Sequence, residues 1–212
     1  MSLVSKTILN GVQTTATALL GNTNLKRVNL KLDKKKNRLP VKWTIEYNGP
    51  NKRTHFLVDL LKNYNPKIGC EVGTHCGRTT YWLLDAFPEL TMYSIDYNIN
   101  LFYNDKIKEK YGERLIPIQG NSHNVHDQIK DNSLDFVFID ASHDYHSVKG
   151  DIEYYTSKLK PNGWLCGHDI DFPGVNKAVN ELLPNNFDNG PNNVWFTCLD
   201  KSVSIPFKKL DN

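Results

Sequence analysis

Carboxylate and imidazole side chains directly follow two apolar runs in the second half of this 212-residue chain. Asp140 and His143 come after the first run, and His168 and Asp169 come after the second. If the two runs are neighbouring parallel strands, their carboxyl ends meet at one edge of a sheet and these side chains can converge. A histidine titrates near neutral pH and can take a proton from a reacting group. We therefore expect Asp140, His143 and His168 to be catalytic.

A tight turn with an acidic residue beside it is predicted where an earlier apolar run ends. Gly73 and Gly77 lie four residues apart, and a helical pattern starts near Gly77. Glycines let the backbone turn sharply and approach a ligand, and the free N–H groups at a helix start point into the same space. Glu71 adds a carboxylate at this turn, which suits a ligand with an ammonium group better than a bare pyrophosphate.

Asp96 follows the next predicted strand and is the expected ribose-binding residue. A carboxylate at this place can accept hydrogen bonds from both ribose hydroxyls of NAD or of S-adenosylmethionine. The first turn separates these two ligands, because it reads Gly-x-x-x-Gly after an acidic residue and not Gly-x-Gly-x-x-Gly. The pattern therefore favours S-adenosylmethionine.

The apolar runs alternate with helical patterns and predict an α/β fold with a doubly wound, mostly parallel, Rossmann-like sheet. Five strands are expected at 68–72, 90–95, 115–119, 134–139 and 164–166. Helices are expected at 78–87, 100–111, 125–129, 147–159 and 175–183. Two further strand-like runs, 194–199 and 203–207, are separated by three residues, which are too few for a parallel crossover. We therefore expect seven strands with a C-terminal antiparallel hairpin strand.

These motifs together resemble the class I S-adenosylmethionine-dependent methyltransferases. The turn from Glu71 to Thr79 is similar to their motif I, E/D-x-G-x-x-x-G-x-S/T. The segment 136–169 is similar to the small-molecule O-methyltransferase group with the signature IDGxHxYxxVxxD…PGG…GHD, with Asn162 in place of the first glycine after proline. The resemblance implies methyl transfer to a small-molecule acceptor, and the Asp/His cluster favours a hydroxyl as the methyl acceptor.

The resemblance also implies roles for individual residues. The cofactor-binding residues would be Glu71, Gly73, Thr74, Gly77, Asp96, Tyr97, Asn121, Ser122, Asp140 and His143. A divalent cation, Mg or Mn, would be held by Asp140, His168 and Asp169, where related metal-dependent enzymes place three acidic or amide ligands. His168 departs from that pattern, and imidazole favours Mn, Fe, Zn or Ni over Mg. We expect either that the metal makes the acceptor hydroxyl more acidic or that a histidine base removes its proton.

Two parts of the chain are expected, an N-terminal extension or cap over 1–66 and the S-adenosylmethionine-binding domain over 67–212. A helix predicted at 54–64 is expected to pack over the site, and an added segment of this kind fits a homodimer contact. The formal net charge is +3 and the one basic concentration is 31–38, so composition does not favour a nucleic-acid partner. No membrane-spanning run, secretory pattern or Cys-x-x-Cys pair is seen, and we expect a cytoplasmic protein.

Other functions stay open at this point. A nucleotide-binding oxidoreductase could use the same fold and the same Asp96. Aminopropyl transferases share the fold but use more acidic residues around the donor. A protein with a relict cofactor site and no transferase activity is a further alternative, although its site residues are all present. Methylation of nucleic acid rests only on the basic run.

Overall fold

The computed structural model describes residues 52–199, which form a seven-stranded sheet with helices on both faces. The strands are β1 (Ile68–Val72), β2 (Thr91–Asp96), β3 (Leu115–Gln119), β4 (Leu134–Ile139), β5 (Leu159–Gly167), β6 (Asp188–Asn189) and β7 (Trp195–Cys198). The helices are α1 (Lys52–Leu61), α2 (Arg78–Ala86), α3 (Asp105–Tyr111), α4 (Ser122–Val125), α5 (Tyr145–Thr156) and α6 (Pro173–Leu182). The basic run at 31–38 and the strand predicted at 203–207 lie outside the described residues.

The sheet order, β3-β2-β1-β4-β5-β7-β6, reverses direction between β1 and β4. β1 pairs in parallel with both β2 and β4, and Val72 stands level with Ile95 on one side and Ile139 on the other. The residues that follow these three strands therefore emerge side by side. In an open parallel sheet, such a switch point forms a crevice in which ligands bind.

The central strand β4 is buried along its whole length. Val137 and Ile139 belong to the hydrophobic cluster formed with α5 and α6. Phe136 and Phe138 belong to the cluster formed with α1 and α2. Apolar side chains on both faces of a strand are typical of a sheet that is covered by helices on both sides. This double cover fixes the carboxyl end of β4, from which Asp140 emerges.

The C-terminal part of the sheet is antiparallel, as predicted, and among residues 52–199 it consists of β5, β7 and β6. β7 runs antiparallel to β5, with Trp195 opposite Gly167. Its other neighbour is β6, which precedes it in the chain and consists of two exposed polar residues. Such a short strand carries no apolar alternation, so no pattern in the sequence indicates it. The predicted fold class, a mostly parallel, doubly wound sheet of seven strands with an antiparallel C-terminal pair, is confirmed.

The main difference in element bounds concerns β5. The sequence predicts this strand at 164–166, whereas the structure begins it at Leu159, which pairs with Leu134 before a shift in register. Pro161 and Asn162 lie inside the strand, and their turn-forming character hides its first half from sequence reasoning. Asn162 keeps a left-handed φ of +65°, so the local turn preference persists as an irregularity within the strand.

The helix predicted at 54–64 is present as α1 and contributes directly to the core. Phe56, Leu57 and Leu61 are fully buried in the cluster with α2. The ring of Phe56 lies 5.1 Å from that of Phe196 on β7, measured between centroids. Burial of this apolar face fixes the position of α1 on the sheet. Between residues 52 and 199, no helix is long and apolar enough to cross a membrane.

Candidate functional site

An open cleft of about 730 Å³ lies at the carboxyl ends of β1, β2, β4 and β5. The loops after these strands form its walls, and the first turn of α1 borders it through Arg53. All the predicted site residues line this cleft except Gly77 and Asn121. The parallel pairing of the strands therefore brings together residues that lie as much as 98 positions apart, from Glu71 to Asp169.

The glycine turn after β1 forms the floor of the cleft. Gly73 has a φ of +87°, and a Cβ at this position would overlap the carbonyl oxygen of Asp140 and lie 2.5 Å from the Cα of Ala141. The backbone N–H groups of Gly73 and Thr74 both donate to the carbonyl oxygen of Ile95, at 2.9 and 3.1 Å. Only glycine fits between the ends of β1 and β4, so the turn must be bare of a side chain.

Glu71 joins β1 to the start of α2. Its carboxylate is almost fully buried and accepts hydrogen bonds from the backbone N–H of Thr80 at 3.1 Å and from its hydroxyl at 2.5 Å. Burial raises the pKa of Glu71 to about 8, against the lowering effect of the Thr80 hydrogen bonds. Glu71 therefore both anchors the helix and places a carboxyl group at the cleft wall.

Asp96 ends β2 with both carboxylate oxygens directed by the backbone. Oδ2 accepts from the N–H of His75 at 2.7 Å, and Oδ1 accepts from the N–H of Asn98 at 3.0 Å. Each carboxylate oxygen has more than one acceptor site, so Asp96 can still accept hydrogen bonds from a ligand. Tyr97, the next residue, is 71% exposed at the rim of the cleft.

The loop after β3 supplies a second wall through Gly120 and Ser122. Asn121 lies between them, but its Oδ1 accepts from the N–H of His123 at 2.9 Å and caps α4. The carbonyl oxygen of Ser122 accepts from the hydroxyl of Tyr155 on α5 at 2.9 Å. The structure thus places Asn121 as a helix cap, with Ser122 facing the cleft.

The loops after β4 and β5 bring His143 and Asp169 together. His143 Nε2 lies 2.7 Å from Asp169 Oδ2, and the imidazole packs against the ring of Phe172 at 4.4 Å between centroids. Asp169 has a φ of +58°, a left-handed conformation that aspartate tolerates better than most residues. The His143 side chain is 41% exposed in the cleft, whereas Asp169 is 16% exposed, so the imidazole is the group of the pair that can reach a bound molecule.

His168 lies deeper and contacts both carboxylates of the cluster. Its Nδ1 is 2.8 Å from Asp169 Oδ1 and 3.4 Å from Asp140 Oδ1. Its Nε2 lies 3.0 Å from the side-chain amide of Asn192. Burial lowers the pKa of His168, but the hydrogen bond and charge of Asp140 together with the charge of Asp169 outweigh it, so the pKa is raised.

The potential metal ligands form a set that differs from the predicted one in one residue. One ligand atom from each of Asp140, His143 and Asp169 lies within 4.8 Å of the others. The sequence places His168 in this set, whereas the structure places both nitrogens of that ring against other side chains. Two carboxylates and one imidazole suit Mn, Fe or Zn.

Two residues that contact the Asp/His cluster carry no signal in the sequence. Arg53 extends from α1 and places Nη1 2.8 Å from Asp140 Oδ2 and 3.3 Å from His168 Nδ1. Asn192 reaches His168 from the segment between β6 and β7. Both belong to elements without a catalytic motif, and only the packing of α1 and β7 on the sheet brings them to the site.

The fold and the cleft together define the class I methyltransferase architecture, with a glycine turn, a carboxylate after β2 and an Asp/His cluster. Residues 70–170 match the family model of a methyltransferase domain. The predicted resemblance to class I S-adenosylmethionine-dependent methyltransferases is thereby confirmed.

Solved structures share this fold at low sequence identity. A Staphylococcus aureus protein provisionally named caffeoyl-CoA O-methyltransferase is 20% identical, with a TM-score of 0.59, over 69% of this chain and 82% of its own. The O-methyltransferase TomG of Streptomyces achromogenes, in complex with S-adenosylmethionine, is 12% identical, with a TM-score of 0.56, over 72% and 81%. The S-adenosylhomocysteine-bound methyltransferase PaMTH1 of Podospora anserina is 15% identical, with a TM-score of 0.54, over 68% and 76%.

A curated relative comes from Sinorhizobium fredii, the uncharacterized protein y4gI. It is 25% identical over 128 residues, which cover 53% of this chain. The chain spans only 14% of the length of that relative.

Proposed function

We propose that this protein transfers the methyl group of S-adenosylmethionine to a hydroxyl of a small-molecule acceptor. The observation that carries the proposal is one continuous cleft. It runs from the glycine turn and Asp96 at one end to the His143–Asp169 pair at the other. Cofactor-binding and proton-handling groups therefore face the same space. The bound cofactors of TomG and PaMTH1, in proteins of the same fold, support this assignment.

The residues of the cleft fit S-adenosylmethionine. The turn at Gly73 lies at the floor of the cleft, where its backbone can border a ligand, and the carboxyl of Glu71 offers a partner for an ammonium group. Asp96 would accept the ribose hydroxyls, and Ser122 would border the base. When bound, the cofactor supplies a methyl group that is already activated by a sulfonium sulfur. The protein then has to orient the acceptor and remove its proton.

We propose His143 as the group that takes the acceptor proton. Asp169 accepts a hydrogen bond from His143 Nε2–H, which leaves Nδ1 as the nitrogen that can receive a proton. Phe172 packs on the imidazole and restricts its rotation. The Asp169 carboxylate also stabilises the imidazolium that forms. His168, in contact with both carboxylates, would hold them in place.

The convergence of three ligand atoms defines the alternative mechanism, which the EDTA experiment below separates from the histidine base. Asp140, His143 and Asp169 fit a divalent cation such as Mn. A cation there would hold an acceptor hydroxyl and make it more acidic. The two mechanisms use His143 differently, because an imidazole nitrogen that binds a metal cannot receive a proton.

Calorimetric titration with S-adenosylhomocysteine, with NAD in parallel, tests the cofactor. We expect binding of S-adenosylhomocysteine and no binding of NAD. We expect Asp96→Ala to weaken the binding of S-adenosylhomocysteine, whereas Asp127→Ala should leave it unchanged.

Transfer of labelled methyl from S-adenosylmethionine to a panel of sugar and aromatic hydroxyls then tests the reaction. Activity that survives EDTA but is lost in His143→Gln supports the base, whereas loss in EDTA supports the metal. Tight binding of NAD alone would instead indicate an oxidoreductase.

Three further expectations accompany this proposal. We propose that residues 67–212 form the cofactor-binding domain and that 1–66 form an extension. We propose also that the protein is a homodimer. Finally, we propose that it acts in the cytoplasm on a small molecule and has no nucleic-acid partner. Light scattering on the full chain tests the dimer. Binding of RNA or DNA that weakens with salt would contradict the last point.

A further inference from the structure

Arg53 carries the positive charge nearest to Asp140 in the part of the chain that the structure describes. Its Nη1 lies 2.8 Å from Asp140 Oδ2, and the two side chains are 25% and 12% exposed. Partial burial makes such a pair stronger than one at the surface, because water screens it less. The guanidinium thus occupies one oxygen of a carboxylate that also belongs to the potential metal-ligand set.

The position of Arg53 is set by the helix that carries it. The next residue, Thr54, is fully buried, and Phe56 and Leu57 are buried in the core beneath α1. The backbone at Arg53 therefore cannot move far without exposing apolar surface. Any release of Asp140 must come from rotation of the arginine side chain alone.

Both oxygens of Asp140 face groups of the protein itself. Oδ2 contacts Arg53, and Oδ1 lies 3.4 Å from His168 Nδ1. A divalent cation at Asp140, His143 and Asp169 would need one of these oxygens and would lie next to a guanidinium that never loses its charge. The positive charges of the guanidinium and of an adjacent divalent cation repel each other strongly in a partly buried site.

We infer that Arg53 is the built-in cation of this cleft and competes with a divalent metal for Asp140. The inference rests on the proposed function of the site, since it concerns the acidic end of the same cleft. With Arg53 in place, the charge of Asp140 is balanced without a metal, and the His143–Asp169 pair stays available for proton transfer. Removal of the guanidinium turns the same three residues into a metal site.

Titration of the full-length protein with Mn²⁺, followed by electron paramagnetic resonance, tests the inference without an acceptor. We expect weak binding by the wild type and binding at least about tenfold tighter by Arg53→Gln, because the repulsion is gone and Asp140 is free. Arg53→Lys keeps the charge and should stay near the wild type. Arg78→Gln removes another arginine that lines the cleft and should not change the affinity for Mn²⁺.

The gain in Arg53→Gln should disappear in the double variant Arg53→Gln, Asp140→Asn. If Arg53→Gln does not fold, Arg53→Met preserves the apolar stem of the side chain and carries the same expectation. Mn²⁺ affinity that is unchanged or absent in the folded charge-free variants overturns the inference. Failure of the proposed function has a different signature, which is a wild-type protein that does not bind S-adenosylhomocysteine.

Discussion

His143 Nε2 lies 2.7 Å from Asp169 Oδ2, although the two residues are separated by a helix and a strand in the chain. The parallel pairing of β4 with β5, with Ile139 level with Gly167, brings the two loops to the same edge of the sheet. The contact fixes which imidazole nitrogen carries the proton. Substitution of Asp169 therefore tests whether this hydrogen bond is needed for the role of His143.

Asp169→Asn should lower the rate of methyl transfer about a hundredfold or more, since the asparagine cannot stabilise the imidazolium. The affinity for S-adenosylhomocysteine should change by less than about threefold, because Asp169 lies at the acceptor end of the cleft. Single-turnover transfer of labelled methyl and calorimetry measure the two effects. Asp171→Asn removes an exposed carboxylate two residues away and serves as the control. Equal losses in both variants would refute the role of Asp169.

Gly73→Ala should abolish binding of S-adenosylhomocysteine. The new Cβ would meet the backbone of Asp140 and Ala141, which cannot move without parting β1 from β4. Gly112→Ala is the matched control, because Gly112 also has a positive φ (+56°) but has nothing within 4 Å of an added Cβ. We expect the control to lose about 1–3 kcal/mol of stability and to bind S-adenosylhomocysteine normally. Calorimetry and thermal unfolding separate the two outcomes.

Glu71→Gln should make the protein more stable at alkaline pH. The pKa of Glu71 is raised from 4.5 to about 8, so the folded state binds this proton more tightly than the unfolded state. Its contribution is fully present below the unfolded pKa and is lost as the pH rises through about 8. A neutral glutamine does not titrate and should raise the Tm above pH 8 by about 5–10 °C.

Above pH 8 the same variant should bind S-adenosylhomocysteine more weakly, because wild-type Glu71 is then a carboxylate that can pair with the ligand's ammonium group. Thermal unfolding at several pH values, with calorimetry at one of them, measures both effects. A Tm that falls equally with pH in wild type and variant would show that Glu71 does not govern this dependence.

The His123–Asp151 pair provides a second pH dependence. Asp151 on α5 is buried, and His123 Nε2 on α4 lies 3.3 Å from its Oδ1 and 3.0 Å from the carbonyl oxygen of Ser147. The adjacent Asp151 carboxylate raises the pKa of His123, with a further contribution from the Ser147 carbonyl oxygen. The contribution of protonated His123 to the stability of the fold is therefore complete below pH 6.5, the pKa of this histidine in the unfolded chain. It is lost as the pH rises through the higher pKa that His123 has in the folded protein.

His123→Gln should remove this part of the pH dependence and leave the part caused by Glu71. The two dependences have the same sign, so the double variant should show the flattest Tm profile between about pH 6 and pH 8. His146→Gln, a change at another histidine, is the control. A profile unchanged by His123→Gln would argue against a charged pair at this position.

The apolar periods and turn residues of the sequence were sufficient to predict β1 to β4, the glycine turn and the residues that end the strands. Each of these features is local, because a run of apolar residues and the glycine or aspartate after it lie next to each other in the chain. β6 and the first half of β5 could not be predicted. The residues of β6 are polar and those at 161–163 are turn-forming, with Asn162 at a φ of +65°, so neither segment shows the apolar alternation that predicts a strand.

The sequence by itself determined the fold class and placed ten of the twelve predicted site residues in one cleft, because parallel strands bring their carboxyl ends together whatever else surrounds them. Only the tertiary structure decided how those side chains pair. It turned Asn121 into a helix cap, set His143 rather than His168 among the three converging ligand atoms, and brought Arg53 to Asp140. These pairings depend on how α1 and the loops pack across the sheet, at separations that no local pattern can encode.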